Sequence, residues 1–215
     1  MNFVDLSRVS SVAVLLAGVA SAQAVVLDFE SLSGIPQGMN YIAYSSPVDT
    51  EGYTFVTPAQ FNTDAEFASW TNLADANTTF SNYTGSVALF SNPGSPITIT
   101  KTGGDSFDLL SLDLANVYRQ GGGQPIENVL ITGNLTAGGT VTQSFLIPND
   151  NALHNVTLAG FTGLSSVVLS SPNTDLHITY FQIDNVSVQE TQAVPEPSTM
   201  AALGLGALAV FRRRR

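Results

Sequence analysis

From residue 107 to residue 147, apolar and polar side chains tend to alternate one for one, with breaks at glycine pairs. That period of two is the strongest constraint on what the chain can fold into. Leu110, Leu112 and Leu114 alternate with Ser111 and Asp113, Val129, Ile131 and Leu135 form a second stripe, and Val141, Phe145 and Ile147 form a third. In a strand this period sends successive side chains to opposite faces, so each segment has one face for a core and one for solvent. Turn signals separate the runs at Pro93-Gly94, Gly103-Gly104, Gly121-Gly122-Gly123, Gly138-Gly139 and Pro172-Asn173. Strands are predicted over 25–29, 53–57, 86–90, 97–101, 107–117, 128–136, 140–147, 156–158, 166–169 and 177–188. No segment keeps a sustained helical period, although 65–76 is predicted as one short helix. No repeat of fixed period occurs, which excludes a propeller or a solenoid. The fold class implied is all-β, an antiparallel β-sandwich of the jelly-roll kind.

The two ends read differently from the middle. Arg8 supplies a weak positive start, 11–20 (SVAVLLAGVA) is apolar, and Ala20-Ser21-Ala22 offers a small-residue cleavage site, with Ala22-Gln23-Ala24 beside it. These are the parts of a secretory signal peptide over 1–22. At the other end Pro195-Glu196-Pro197 precedes an apolar run over 200–211 (MAALGLGALAVF), and Arg212, Arg213, Arg214 and Arg215 close the chain. As a helix that run spans roughly 18 Å, short of the ~30 Å hydrocarbon core. A short C-terminal hydrophobic helix with a basic stop suits transient membrane seating, with the arginines on the cytoplasmic side. The organisation expected is therefore 1–22 signal peptide, 23–193 β-sandwich and 194–215 sorting signal. The middle span is long enough for one core that buries near 70% of its unfolded surface.

Composition sets exclusions. The chain has 17 Asp+Glu against 7 Lys+Arg, and of the bases only Lys101 and Arg119 fall within 23–193. Phosphates need a basic footprint, so nucleic acid is excluded as a partner. The absence of cysteine removes disulfides, thiolate metal sites and thiol nucleophiles. Hydrophobic residues make up 44%, which is enough for a core and excludes a disordered acidic chain.

The tripartite tail resembles the PEP-CTERM sorting signal of Gram-negative, exopolysaccharide-producing bacteria. The match rests on Pro195, Glu196 and Pro197, then the apolar run, then Arg212 to Arg215. The resemblance implies an exosortase, a membrane-embedded cysteine protease-transpeptidase, as processing partner. It also implies an exported protein of the cell surface or extracellular matrix, with a precursor held transiently in the inner membrane. A second resemblance covers the middle. Leu27-Asp28-Phe29-Glu30 near its start and Phe181-Gln182-Ile183-Asp184-Asn185-Val186 near its end are similar to paired patterns of jelly-roll carbohydrate-binding modules. Gly85-Ser86-Val87-Ala88-Leu89 and Phe107-Asp108-Leu109 through Asp113-Leu114 also look similar in register.

Asp184 is the most informative acid. By parity it shares a face with Ile178, Tyr180, Val186 and Val188, and a carboxylate there needs a cation or several donors. In the modules that the chain resembles, first and last strands meet at a structural calcium. Glu30 and Asp184 match that motif, with Asp28 as a third carboxylate. Calcium takes six to eight hard oxygens, so carbonyls would complete the site. The alternative is that Asp184 accepts backbone amides while Asp28 and Glu30 face solvent. No catalytic constellation is visible: His154 and His177 lack metal-type spacing, no G-x-S-x-G elbow occurs, and the glycine runs lack a phosphate-loop lysine. Trp70, Tyr83, Tyr118 and Arg119 stand in polar segments and could stack on sugar rings, or could pack in the core. The function expected is a non-enzymatic structural or glycan-binding surface protein, associated with exopolysaccharide or biofilm. The alternative class is a secreted polysaccharide hydrolase using an unrecognised carboxylate pair.

Overall fold

A computed structural model describes residues 23–32, 41–58, 66–70, 84–92, 95–117, 128–148, 150, 152–171 and 181–191. The expected signal peptide and C-terminal helix lie outside these residues. The strands are β1 (Ala24–Leu27), β2 (Tyr41–Ser45), β3 (Val48–Thr50), β4 (Tyr53–Val56), β5 (Glu66–Trp70), β6 (Leu89–Asn92) and β7 (Ile97–Lys101). They continue as β8 (Phe107–Asn116), β9 (Asn128–Leu135), β10 (Thr140–Leu146), β11 (His154–Thr157), β12 (Leu164–Ser170) and β13 (Phe181–Glu190). A single 3-10 turn, Glu30–Leu32, follows β1.

All pairings are antiparallel, and they sort into two layers. In one, β2, β5, β6, β13, β8 and β11 follow one another, with β1 next to β6 along the same edge of β13. In the other the order is β10, β9, β12, β7, β4, β3. The layers meet in register at Leu164 and Phe107, where β12 touches β8. From β7 onward the chain crosses between layers at nearly every step, as in a jelly roll; the β9–β10 hairpin alone stays within one layer. One buried cluster fills the space between, with Leu112, Leu114, Ile183 and Val186 from the first layer and Phe55, Ile99, Ile131 and Val167 from the second. Two edge-on aromatic pairs cross the gap. Phe29 meets Phe55 at 5.2 Å between ring centres, and Tyr53 meets Phe107 at 5.4 Å.

Two glycine positions matter to this packing. Gly138 and Gly139, at φ 91° and 87°, turn β9 into β10 through a conformation that other residues resist. Gly133 sits mid-strand, where a Cβ would come within 2.8 Å of Leu164 and 2.9 Å of Val141, so any larger residue would overpack the second layer.

The structure changes three expectations. The short helix expected over 65–76 is, from Glu66 to Trp70, the strand β5. Pairing on both edges, with β2 and β6, overrides its weak helical pattern. Leu110 does not share the core face with Leu112 and Leu114. Leu109 is the buried residue, because the β8–β13 register slips between Ser187 and Val188. Two further short strands, β2 and β3, have no counterpart among the expected ones.

The two ends of the sandwich differ. At one end lie the short β3–β4, β7–β8, β9–β10 and β11–β12 connections, together with both termini, since Ala24 pairs with Gln189. The β4–β5, β8–β9, β10–β11 and β12–β13 connections all leave from the other end and are longer, and the short β2–β3 and β6–β7 connections share that end.

Candidate functional site

A bulge in β13 creates the site. Ile183 pairs with Leu114 and Asp184 with Asp113. Ile183 and Leu114 belong to the core, so the two acids face outward from the layer. Asn185 follows at φ 47°, a conformation that Asn tolerates better than most residues. The register shifts between Asp184 and Ser187, and beyond the shift Val186 and Val188 again point into the core. This corrects the parity expectation. Asp184 does not share a face with Val186 and Val188, while Ile178 and Tyr180 lie outside the described residues.

Asp184 is nevertheless fully buried, at 0% exposure. The segment that carries Ser86 covers it and links it to the 3-10 turn. Ser86 Oγ lies 2.5 Å from Asp184 Oδ2 and 2.9 Å from Glu30 Oε1. The Val87 amide donates to Glu30 Oε1 at 3.0 Å, and the Asn185 amide donates to Asp184 Oδ1 at 2.7 Å. Burial pushes the Asp184 carboxyl above its ordinary pKa, the Ser86 and Asn185 donors pull it back, and the charges of Asp113 and Glu30 add to the rise.

The hydrogen count is the telling feature. A serine hydroxyl has one proton to donate. Two carboxylate oxygens converge on it, so one of the two close contacts has no hydrogen in it when both acids are ionised. A proton on a carboxyl or a bound cation would supply what is missing.

Of the expected calcium ligands, the structure therefore brings Glu30 and Asp184 together and leaves Asp28 apart. Asp28 Oδ1 accepts from the Glu30 amide at 3.3 Å, a local turn within its own loop. Among the described residues no group of three or more His, Cys, Asp or Glu side chains is placed to hold a metal ion. The side-chain donors are thus two carboxylates and one hydroxyl, all hard oxygens of the kind that calcium accepts. Backbone carbonyls and water would have to make up most of its shell.

Asp113, the cross-strand partner of Asp184, is differently placed. Its Oδ1 accepts from Asn155 Nδ2 and its Oδ2 from Asn185 Nδ2, each at 2.8 Å. Ser86, Asp113, Asn155 and Asn185 were not singled out as site residues by sequence. Ser86, Asp113 and Asn185 did stand inside the motifs that carry the resemblance, whereas Asn155 had no local signal. His154 Nε2 lies 2.7 Å from Asp150 Oδ1, and this contact holds the Asp150 carboxyl below the usual carboxylate range. The backbone places Trp70 at the end of β5. Tyr83, Tyr118, Arg119 and His177 lie outside the described residues, as do Pro195, Glu196, Pro197 and Arg212 to Arg215.

Comparison with known proteins bears mainly on the tail. Residues 193–215 match the PEP-CTERM protein-sorting motif. The chain thus carries the C-terminal sorting signal of an exported, exosortase-processed surface protein. No curated protein matches the chain. Among solved structures, a CBM29-2 family 29 carbohydrate-binding module is 11% identical, with 80% of this chain and 94% of that one covered, at a TM-score of 0.35. The Stig cyclase Fisc from Fischerella sp. TAU is 12% identical, with 81% of this chain and 100% of that one covered, at a TM-score of 0.42. Neither likeness is close enough to assign a ligand or a reaction.

Proposed function

We propose that the chain is a non-enzymatic module of the extracellular matrix, exported, sorted through its tail, and displayed in or on exopolysaccharide as a glycan-binding or scaffolding β-sandwich. The sorting motif at 193–215 carries this reading, because it sets the compartment in which the sandwich works. The acid pair supports a structural role over a hydrolytic one. A glycosidase needs two carboxyls open to a sugar, and Asp184 is fully buried beneath the Ser86 segment. Glu30, Asp184 and the Ser86 hydroxyl would hold a structural calcium that ties the start of the domain to its last strand. That ion would supply the positive charge that two acids and one hydroxyl proton lack.

Deleting 195–215 tests the sorting. Release of the protein into the medium is expected, and unchanged retention at the surface would refute it. The truncated protein, run through gels cast with purified exopolysaccharide, tests the glycan. Retardation is expected, and unaltered mobility would leave scaffolding without glycan contact. Release of reducing sugar from the same polysaccharide would overturn the non-enzymatic reading.

A further inference from the structure

The last residues of β13 are tied down on several sides. Thr191 Oγ1 donates to Asp108 Oδ1 at 2.9 Å, and that same oxygen accepts the Gly163 amide at 2.8 Å. One residue earlier, Glu190 Oε1 pairs with Lys101 Nζ at 2.8 Å. Strands β8 and β7 thus both hold the point where the chain leaves the domain, and the β11–β12 connection braces Asp108 in turn. Ala24 pairs with Gln189, so the segment that follows the expected signal-cleavage site emerges beside it.

Thr191 is therefore held to the domain, and residues 192–199 lie between it and the apolar run. At 3.3–3.6 Å per residue, that leash reaches about 30 Å at most. The domain is comparably tall, since the ten residues of β13 rise about 33 Å. A leash no longer than the domain, fixed at one end of it, biases which end lies near the membrane. Exposed Glu51 and Asp105 make that end acidic, so it has no attraction of its own for anionic headgroups. Their repulsion fades within a Debye length of about 8 Å, well inside the reach of the leash.

We infer that the end bearing the short hairpins and both termini faces the lipid surface while the tail is seated in the bilayer, and that the end bearing the long connections is displayed outward. This rests on the membrane reading of the tail. It adds that the outward end, which the β8–β9 and β12–β13 connections join, is the one available to matrix partners.

The chain has no cysteine, so single reporters can be placed cleanly. Ala137, exposed in the β9–β10 hairpin, marks the inner end, and Ala152, exposed in the β10–β11 connection, marks the outer end. Full-length protein carrying Ala137→Cys or Ala152→Cys would be dye-labelled and reconstituted into liposomes with headgroup acceptors. Energy transfer from position 137 should exceed that from 152 by about twofold, given a height difference near 25 Å from the strand rise. A twenty-residue Gly/Ser insertion after Thr191 should shrink the difference. Equal or reversed transfer with the tail inserted would overturn the orientation alone. Absence of transfer at both positions would overturn the membrane reading of the tail, and the orientation with it.

Discussion

Asp113 and Asp184 face one another across β8 and β13 on the same side of the sheet, yet their surroundings differ in one respect. Asp113 receives a side-chain amide on each oxygen, from Asn155 and Asn185. Asp184 receives one backbone amide and must share a hydroxyl with Glu30. Asn185 serves both acids, its side chain going to Asp113 and its amide to Asp184. The bulge thus completes one carboxylate and leaves its neighbour short of positive charge. Donor count, more than the number of acids, separates a structural aspartate from a candidate cation site.

Substitution should separate the two acids. Asp184→Ala should have the largest effect. It strands the Asn185 amide and leaves the Ser86 hydroxyl only Glu30 as acceptor, at a cost of about 2–3 kcal/mol in urea unfolding. A cost equal to that of Asp113→Ala would mean that the two carboxylates are equally well satisfied. Ser86→Ala should come next, at about 1–2 kcal/mol in EGTA, because it removes the one proton between two acidic oxygens. Added calcium should recover part of that loss, and a loss indifferent to calcium would point to packing instead. Asp113→Asn should cost about 1 kcal/mol or less, since its partners are amides that an amide can partly satisfy.

The smallest effect concerns acids that already have a cation or a histidine beside them. Lys101 holds the Glu190 carboxyl below its usual range, and His154 does the same for Asp150. An acid whose pKa is lowered by folding adds stability above its unfolded pKa and loses it as the pH falls through the lowered value. The acid of each pair is exposed, so acid titration should show a shallow loss of stability below the ordinary carboxylate pKa, weakened further by salt. Lys101→Met and Asp150→Asn should each flatten part of that slope, and an unchanged slope in both would remove these pairs from the ledger.

Much of the fold was legible because the period of two is local. The span 97–101 matches β7 residue for residue, and β9 and β10 differ from expectation by one residue at their ends. The misses are those in which distant pairing decides. Glu66–Trp70 becomes a strand by lying between β2 and β6, and Leu109 replaces Leu110 in the core through a slip in register with β13. The site was half legible for the same reason. Glu30 and Asp184 stood in recognisable motifs at opposite ends of the domain. Their link through Ser86, and the outward turn of Asp184, depend on a bulge at Asn185 that alternation alone does not reveal.

The most direct measurement is thermal unfolding of the tail-less domain in calcium and in EGTA, for the parent sequence and for Asp184→Asn. Calcium should raise the midpoint of the parent and leave that of Asp184→Asn nearly unmoved. Coincident midpoints for the parent in both conditions would contradict a cation at Glu30 and Asp184, and would assign the missing positive charge to a proton held between them.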